Sequence, residues 1–397
     1  MMKILFLDQS GQPAGAELCL LDIAKSYRDR CLVGLFTDGP FHQLLEQQQI
    51  PVQVLASKAI SVRKESTWLQ GLSSLGQLLP LIVKVAQLSQ HYDVIYANTQ
   101  KALVVGALAS RLSRRPLVYH LHDILSADHF SAANRRLAVT LANQCASLVI
   151  TVSQATQAAF IAAGGRPELT AIVHNGFNPQ AYDCDRQQVD RLKHQLGLNG
   201  RFVVGHFSRL SPWKGQHVLL EALEFCPEPV TALLVGDALF GEQEYVQTLQ
   251  AQVAAKGLLD RVQFLGFQSD IVPLMHVCDV ITHTSIAPEP FGRVIVEGML
   301  CGRPVIASQL GSALELVNSG IPCWLVPPGN AADLAAAINH CRTNWQQVNA
   351  IAQQAQQQVS QRFHLDRTNH QIAQLLNQFE RSSADATDRS TKPISAN

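Results

Sequence analysis

The sequence predicts an α/β protein with two domains, each built on a parallel β-sheet wrapped by helices. Short apolar runs typical of buried strands alternate with longer helical patterns along most of the chain, and such alternation is typical of parallel sheets. Two such blocks flank a segment rich in Asn, Gly, Pro and charged residues, 175–200. A length of 397 residues with 47% hydrophobic side chains is enough for two or three domains with their own cores.

The first block, residues 1–176, is predicted to form the N-terminal domain. Helices, among them Ala16–Tyr27 and Leu69–Gln90, are predicted between its strands, and the crossovers should be right-handed. Its seven predicted strands are short runs of apolar and β-branched residues: Ile4–Leu7, Leu32–Phe36, Val52–Leu55, Val94–Ala97, Leu117–Leu121, Leu148–Val152 and Ala171–Val173.

The second block, residues 201–364, is predicted to form the C-terminal domain, after a linker with one short helix at 177–200. A glutamine-rich solvated helix is predicted at Gln346–Gln361, with Val348, Ile351, Ala355 and Val359 on a rough stripe, and a last helix at Leu365–Phe379. Residues 381–397 lack core residues and are predicted to be a disordered tail. The six predicted strands are Val203–Phe207, Ala232–Val235, Val262–Leu265, Val280–Thr284, Val305–Ala307 and Trp324–Val326.

Two glutamates, Glu289 and Glu297, stand eight positions apart in the run PEPFGRVIVEGM. Glu289 lies in a turn rich in Pro and Gly, and Glu297 lies about one turn inside a helix that Arg293 and Val294 open. The first turn of a helix suits an anion such as a nucleotide diphosphate. A carboxylate one turn deeper can accept hydrogen bonds from ribose hydroxyls. Taken alone, the two acids are equally consistent with solvated surface positions.

Two cations, Arg209 and Lys214, flank a turn between a predicted strand and the next helix in the run FVVGHFSRLSPWKGQHVLLEA. Arg209 stands at the carboxyl end of the strand, where ligands bind in open α/β sheets. Two cations there can neutralise a diphosphate leaving group. The alternative is that one is a turn residue and the other is solvated.

Together these runs resemble the retaining glycosyltransferases of family 4, which have the GT-B fold. The resemblance covers residues 3–380, and the spacing of the two glutamates and of the two cations is its most specific part. Further runs follow in the family's order: Gln12–Glu17 (QPAGAE), Val118–Asp123 (VYHLHD), Val149–Ser153, Val173–Asn178, Ala232–Gly241, Val262–Phe267 and Ala307–Val317.

The resemblance implies two Rossmann-like domains that face a central cleft, with a C-terminal helix, 365–380, crossing back to the first domain. It implies that Arg209 and Lys214 stabilise the departing diphosphate, that Glu289 orients the sugar, and that Glu297 holds the ribose. His122 would hydrogen-bond the donor sugar. The remaining donor-binding positions implied are Gly15, Ala16, Gly236, Phe291, Gly292, Arg293 and Val294.

The reaction implied by the resemblance is metal-independent transfer of a sugar from a nucleotide-diphosphate sugar, with retained configuration. The donor would be a UDP- or GDP-sugar held by the second domain, and no other cofactor is expected. The acceptor, held by the first domain, would be a glycan or a lipid-linked glycan, as in polysaccharide biosynthesis. The basic run KAISVRKESTW, Lys58–Trp68, either touches such an acceptor or is a solvated loop.

The chain departs from the family pattern at two glycine pairs. Ala14 replaces the first Gly of the N-terminal pair, and the late pair reads Gly311-Ser312, where Ser312 could cap the following helix. Three alternative functions stay open at this point: a GT-B phosphorylase that uses free phosphate, a sugar-nucleotide epimerase that needs no acceptor, and a catalytically inactive glycan-binding protein.

Other chemistries fit the sequence less well. His120 and His122 point the same way on a strand and stand near Asp123, Asp128 and His129, but Ile124 breaks the metal pattern H-x-H-x-D-H. The run Asp183-Cys184-Asp185 lies in the linker rather than after a nucleotide-binding strand. The chain contains no dinucleotide fingerprint, no GxxxxGK[ST] loop and no G-x-S-x-G elbow. We therefore expect no metal.

Charge and cysteine usage favour a cytoplasmic protein that does not bind nucleic acid. The net charge is zero, which gives no strong field toward nucleic acid. Residues 1–176 carry 15 basic and 11 acidic side chains and the remainder 16 and 20, so a peripheral contact with the inner face of a membrane stays open. The nine cysteines are scattered, as expected of reduced thiols, and no apolar run is long enough to cross a membrane.

Overall fold

A computed structural model describes residues 2–56, 68–238 and 241–388. The chain divides into two compact units, one of Met1–Gly176 with Leu365–Asn397 and the other of Phe177–His364. Each unit has its own parallel sheet. Residues 58–67 of the basic run lie outside the described residues, as do 389–397 of the predicted tail.

The sheet of the first unit has strands on both sides of β1 and is parallel throughout. Its order is β3-β2-β1-β4-β5-β6-β7, and all of its pairs are parallel. All seven predicted strands are confirmed, with ends that differ by at most two residues. The strands are Ile4–Asp8 (β1), Cys31–Leu35 (β2), Val52–Val54 (β3), Val94–Ala97 (β4), Leu117–Leu121 (β5), Ala146–Thr151 (β6) and Thr170–Ile172 (β7).

Helices of the first unit cover both faces of this sheet. Leu5 and Leu7 of β1 belong to one buried apolar cluster, and Ile4 and Phe6 belong to the other, so alternate residues of one strand fill two cores. The helices up to Gly176 are Gly15–Lys25 (α1), Pro40–Gln47 (α2), Trp68–Ser89 (α3), Gln100–Ser113 (α4), Ala132–Cys145 (α5) and Gln154–Ala162 (α6).

The second unit contains a parallel sheet with the order β10-β9-β8-β11-β12-β13, so β8, the first strand in sequence, lies in the middle. Its six predicted strands are also confirmed. They are Phe202–Phe207 (β8), Val230–Val235 (β9), Val262–Gly266 (β10), Val280–His283 (β11), Val305–Ser308 (β12) and Trp324–Val326 (β13).

The helices of the second unit begin within the segment predicted as a linker, which holds a short 3₁₀ turn at Pro179–Tyr182 and then α7. Residues 177–200 therefore belong to the second unit. The helices are Arg186–Gln195 (α7), Gln216–Glu224 (α8), Gln243–Ala255 (α9), Val272–Val277 (α10), Arg293–Leu300 (α11), Ser312–Asn318 (α12), Ala331–Thr343 (α13) and Trp345–Arg362 (α14).

Polar side chains start several of these helices. The side-chain oxygens of Thr99, Ser131 and Ser153 accept hydrogen bonds from backbone N–H groups in the first turns of α4, α5 and α6. Asp185 and Asn330 do the same for α7 and α13. Each cap satisfies one of the N–H groups that a helix start leaves without a partner.

The last two helices differ from the sequence prediction. Val348, Ala355 and Val359 of the predicted stripe on α14 are buried together with Ala352, so this helix packs one side into the core and is solvated only on the other. The final helix, Leu365–Asp388 (α15), continues nine residues past the predicted end at Phe379. The prediction of a tail without structure from Arg381 is wrong for 381–388, because no Gly or Pro interrupts the helix there.

The helix α15 belongs to the first unit although it follows the second in sequence. Ile372 and Leu376 are buried in the same apolar cluster as Ile4 and Phe6. Thr368 Oγ1 donates to the His174 carbonyl at 3.0 Å. The chain therefore returns to the first sheet after completing the second, as predicted.

Two further findings concern the chain as a whole. No disulfide links the nine cysteines, all of which lie in the described part of the chain. Within the same residues, no helix has both the length and the apolar character needed to cross a membrane.

Candidate active site

The order of strands in the second unit places two loops at one point on the carboxyl edge of its sheet. β9 lies on one side of β8 and β11 on the other, so the loops that follow β8 and β11 run in opposite directions. Ligands of open α/β sheets bind in the crevice at such a switch point. Arg209 and Lys214 lie in the loop after β8, and Glu289 lies in the loop after β11.

Lys214 and Glu289 form a close, largely buried ion pair. Lys214 Nζ donates to Glu289 Oε2 at 2.6 Å, and each side chain is 14% exposed. His283 Nε2 and Ser285 Oγ both lie 3.4 Å from the same oxygen. Burial raises the pKa of Glu289, but the charge of Lys214 and the hydrogen bond to His283 outweigh burial and hold the pKa well below its usual value. Glu289 is therefore a carboxylate at neutral pH.

The loop that carries Glu289 is supported by a close backbone contact with Gly311. Gly311 has φ of 54°, and a Cβ atom there would collide with the backbone of Glu289. The Ser312 N–H donates to the Glu289 carbonyl at 3.3 Å. The expectation that Ser312 caps α12 is wrong: Gly311 is the N-cap and Ser312 the first helical residue, because the left-handed backbone of Gly311 already turns the chain into the helix.

Arg209 lies where the ends of β8 and β9 approach each other. Gly236, just after β9, has φ of 133°, and a Cβ atom there would collide with the Ser208 carbonyl. Arg209 Nε lies 3.5 Å from Glu242 Oε2. The ring of Trp213 has the Lys214 ammonium 4.1 Å and the Arg209 guanidinium 6.0 Å from its centroid. Both cations predicted from the sequence are thus held beside one aromatic ring.

The helix α11 begins at Arg293, as predicted, after Gly292 in the left-handed region with φ of 69°. Glu297, one turn inside, is buried at 7% exposure. Its Oε1 accepts hydrogen bonds from Arg293 Nε at 3.2 Å and from the Tyr182 hydroxyl at 3.4 Å. Its Oε2 accepts none from the described residues. One carboxylate oxygen is therefore oriented by the protein.

Aromatic rings surround the start of α11. The Arg293 guanidinium lies 4.6 Å from the centroid of the Phe177 ring, and Phe177 stacks on Phe291 with centroids 6.1 Å apart. Sequence reasoning missed Tyr182 and Phe177. Both lie in the predicted linker, and their distance in sequence from Glu297 gives no periodic signal.

The first unit has a switch point of its own, between β1 and β4. Asp8 ends β1, Asn98 follows β4, and His122 follows β5. Asn98 Nδ2 donates to Asp8 Oδ2 at 2.7 Å and to the Ala16 carbonyl at 3.1 Å. Asn98 Oδ1, 2.9 Å from His122 Nε2, must accept. The amide therefore orients the His122 ring and fixes its proton on Nε2.

Gly15 and Ala16 begin α1, so their N–H groups have no acceptor within the helix. The sequence prediction that Gly15 and Ala16 donate to phosphate or sugar oxygens requires such N–H groups. Oε2 of Glu17, the third residue of α1, accepts a hydrogen bond from the Ala14 N–H at 3.1 Å. This contact joins the first turn of the helix to the residue just before it.

Two carboxyl groups, Asp8 and Glu17, are buried together below this helix start. Burial raises the pKa of Asp8 to about 6. Burial and the nearby charge of Asp8 raise the pKa of Glu17 to about 8. Both groups are thus protonated at higher pH in the folded protein than in the unfolded chain, and Glu17 keeps its proton at neutral pH.

The Glu17 carboxyl should make the protein less stable as pH rises. Between about pH 4.5 and 8 the folded state retains a proton that the unfolded state loses, so the free energy of unfolding falls with pH across this window. We expect Glu17→Gln to flatten that slope and to raise stability at pH 8 by an amount on the order of a few kcal/mol. Urea unfolding at pH 5 and pH 8 measures the pH dependence and the stability at pH 8. Glu46→Gln, an exposed position on α2, is the control. An unchanged slope in Glu17→Gln would contradict the prediction.

Metal-ligating atoms also meet in the first unit. Cys19, His120 and His122 each bring one such atom within 4.8 Å of the others. Within the described residues, Asp123, Asp128 and His129, which the sequence placed near the two histidines, do not join this group.

Comparisons with known proteins identify the class of protein that these two units define. Residues 188–358 match the family model for glycosyl transferases group 1, and residues 14–176 match the model for the glycosyl transferase 4-like domain. Two parallel-sheet units of this kind constitute the GT-B fold.

Individual relatives agree with this class. The protein in the crystal structure of Anabaena Alr3699/HepE in complex with UDP-glucose has 58% sequence identity to this chain. The two structures superpose with a TM-score of 0.89, and the match covers 95% of this chain and 100% of that chain. The 2-deoxystreptamine glucosyltransferase of Streptomyces kanamyceticus is 26% identical over 74% of this chain and 79% of that enzyme. The uncharacterized glycosyltransferase MJ1607 of Methanocaldococcus jannaschii is 25% identical over 69% of this chain and 72% of that protein. The chain belongs to the group 1 glycosyltransferases.

Proposed function

We propose that the protein transfers a glucosyl group from UDP-glucose to a glycan or lipid-linked glycan, with retained anomeric configuration and without a metal ion. One observation carries the choice of donor: the Anabaena protein, 58% identical over its full length, crystallised with UDP-glucose. In this chain, the loops after β8 and β11 place two cations and an ionised carboxylate at one point on the sheet edge.

Arg209 and Lys214 bind the diphosphate in this proposal. Charge-assisted hydrogen bonds are the stronger ones, and partial burial strengthens them further. The backbone N–H groups at the start of α11, from Phe291 and Gly292 just before the helix to Arg293 and Val294 in its first turn, add donors and the positive end of the helix dipole. Gly236 allows the end of β9 to lie against the Ser208 carbonyl, next to Arg209.

Glu297 binds the ribose. Its Oε1 is occupied by Arg293 and Tyr182, and its Oε2 can accept from a ribose hydroxyl. A carboxylate held at one oxygen is already oriented before the donor arrives, so little rotamer freedom is lost on binding.

The chemical step is a displacement on one face of the sugar. The bond from the anomeric carbon to the diphosphate oxygen breaks, the bond to the acceptor oxygen forms on the same face, and the acceptor proton passes to the leaving phosphate. Glu289 stabilises the positive charge that develops at the anomeric carbon. Its low pKa keeps it ionised for this role. His122, whose proton is held on Nε2 by Asn98, accepts a hydrogen bond at Nδ1 from a hydroxyl of the donor sugar.

Product analysis tests the proposal. We expect UDP-glucose to raise the melting temperature more than UDP-galactose or GDP-mannose, because specific binding stabilises the folded state. With UDP-[¹³C]glucose and a panel of glycan acceptors, NMR should show an α-linked product and free UDP, unchanged by EDTA.

Other products would contradict specific parts of the proposal. A β-linked product would overturn retention, and loss of activity in EDTA would overturn metal independence. Release of glucose 1-phosphate in the presence of phosphate would identify a phosphorylase, and a changed donor sugar without acceptor would identify an epimerase. Binding of UDP-glucose without any product would support an inactive glycan-binding protein.

A further inference from the structure

Three side chains of the first unit form a compact group of potential metal ligands: Cys19, His120 and His122, with ligand atoms within 4.8 Å of one another. Cys19 is buried on α1. The two histidines are two positions apart at the end of β5, so they point to the same face, and their ring centroids are 4.0 Å apart.

His120 is buried with one ring nitrogen unsatisfied. It is 1% exposed, and its Nδ1 lies 2.7 Å from the Tyr96 hydroxyl, while its Nε2 is buried without a hydrogen-bond partner among the described residues. Buried polar atoms are normally hydrogen-bonded, so this nitrogen is an exception that a ligand would remove.

Each imidazole ring has a hydrogen-bond partner on one of its two nitrogens. Tyr96 holds Nδ1 of His120, and Asn98 holds Nε2 of His122. Protein metal sites use this arrangement, in which a second residue orients each histidine ligand. His120 would therefore coordinate through Nε2 and His122 through Nδ1.

We propose that Cys19, His120 and His122 bind Zn²⁺ or a similar divalent transition-metal ion, with a fourth coordination position open to water. Tetrahedral zinc places its sulfur and nitrogen ligands about 3.4 Å apart, so a modest inward movement of the three side chains completes the site. Thiolate and imidazole together favour zinc over calcium or magnesium. On binding, the Cys19 thiol loses its proton to solvent.

Occupancy of the site should inhibit glycosyl transfer. A coordinated His122 is no longer available to the donor sugar, and this consequence rests on the role that the proposed function gives to His122. Metal binding itself does not depend on that role. Zn²⁺ therefore acts here as an inhibitor rather than as a cofactor.

Metal titration of the full-length protein tests the site directly. We expect one Zn²⁺ per chain in competition with a chromophoric chelator, and Co²⁺ should give a sulfur-to-cobalt charge-transfer band in the near ultraviolet. Cys19→Ser and His120→Gln should each lower Zn²⁺ affinity by at least about 100-fold, and Tyr96→Phe by about 10-fold. Cys31→Ser, another buried cysteine of the first unit, should bind Zn²⁺ as the unaltered protein does.

Several outcomes would overturn the proposal. Unchanged Zn²⁺ affinity in Cys19→Ser or His120→Gln would do so, as would a cobalt complex without the charge-transfer band. If Cys19→Ser is not folded normally, two other measurements test the metal site. Tyr96→Phe should bind Zn²⁺ more weakly, and Zn²⁺ should raise the melting temperature of the unaltered protein. A protein without the site would show neither effect. Full transfer activity with the site occupied would overturn the role of His122 while leaving the metal site in place.

Discussion

Lys214→Ala should lower kcat/KM for transfer from UDP-glucose by about 10²–10³-fold, which is the usual cost of losing one preorganised donor to a developing charge. Lys214 contacts the leaving diphosphate in our proposal and also neutralises Glu289 at 2.6 Å. Its removal leaves a carboxylate that is 14% exposed without its cation. Breaking a pair of this kind costs about 3–5 kcal/mol of stability when it is fully buried, and less when solvent reaches it.

The two effects can be separated by comparing variants. Arg209→Ala should lower transfer by a similar factor with a smaller effect on stability, because its partner Glu242 is 26% exposed. The double variant Lys214→Ala/Glu289→Gln should recover much of the stability but none of the activity. Lys256→Ala, which removes a lysine from a surface pair with Glu224, is the matched control. Near-normal turnover in both Lys214→Ala and Arg209→Ala would refute their assignment to the diphosphate.

Glu289→Gln is expected to reduce kcat by about 10²–10³-fold while changing the KM for the donor much less. The substitution keeps the shape of the side chain and removes the negative charge that, in our proposal, faces the anomeric carbon in the transition state. The low pKa of Glu289 means that this charge is present throughout the neutral range. Steady-state kinetics with varied UDP-glucose gives the two constants separately.

A matched control variant tests whether the effect is specific to Glu289. Glu244→Gln, an exposed acid on α9, should leave both constants unchanged. A large rise in KM with unaltered kcat in Glu289→Gln would instead indicate that Glu289 only binds the donor in its ground state. Glu289 would then lose its role at the anomeric carbon.

Much of the fold follows from local sequence. All thirteen predicted strands are present, because buried parallel strands are continuous apolar runs that polar turns interrupt. The positions of Arg209 after β8 and of Glu297 one turn into α11 follow from the same pattern. The end of α15 could not be predicted in this way, because Ser, Ala and Asp are compatible with both a helix and a tail.

The contacts within the candidate site were harder to predict. Lys214 and Glu289 were assigned separate tasks, yet they are hydrogen-bonded across 75 positions of sequence. Tyr182 reaches Glu297 across 115 positions, and Cys19 lies beside histidines a hundred residues away. Such contacts depend on the order of strands in each sheet, which hydrophobic periodicity does not encode.

Three glycines of the second unit limit how this site can diverge. At Gly215, Gly236 and Gly311 the backbone has positive φ, and an added Cβ would strike main-chain atoms of a neighbouring loop rather than a movable side chain. Substitution at these positions should displace whole loops. In our proposal, new donor preferences are therefore more accessible through changes at side chains such as Trp213 and Tyr182, while the three glycines keep the loops that carry the site in place.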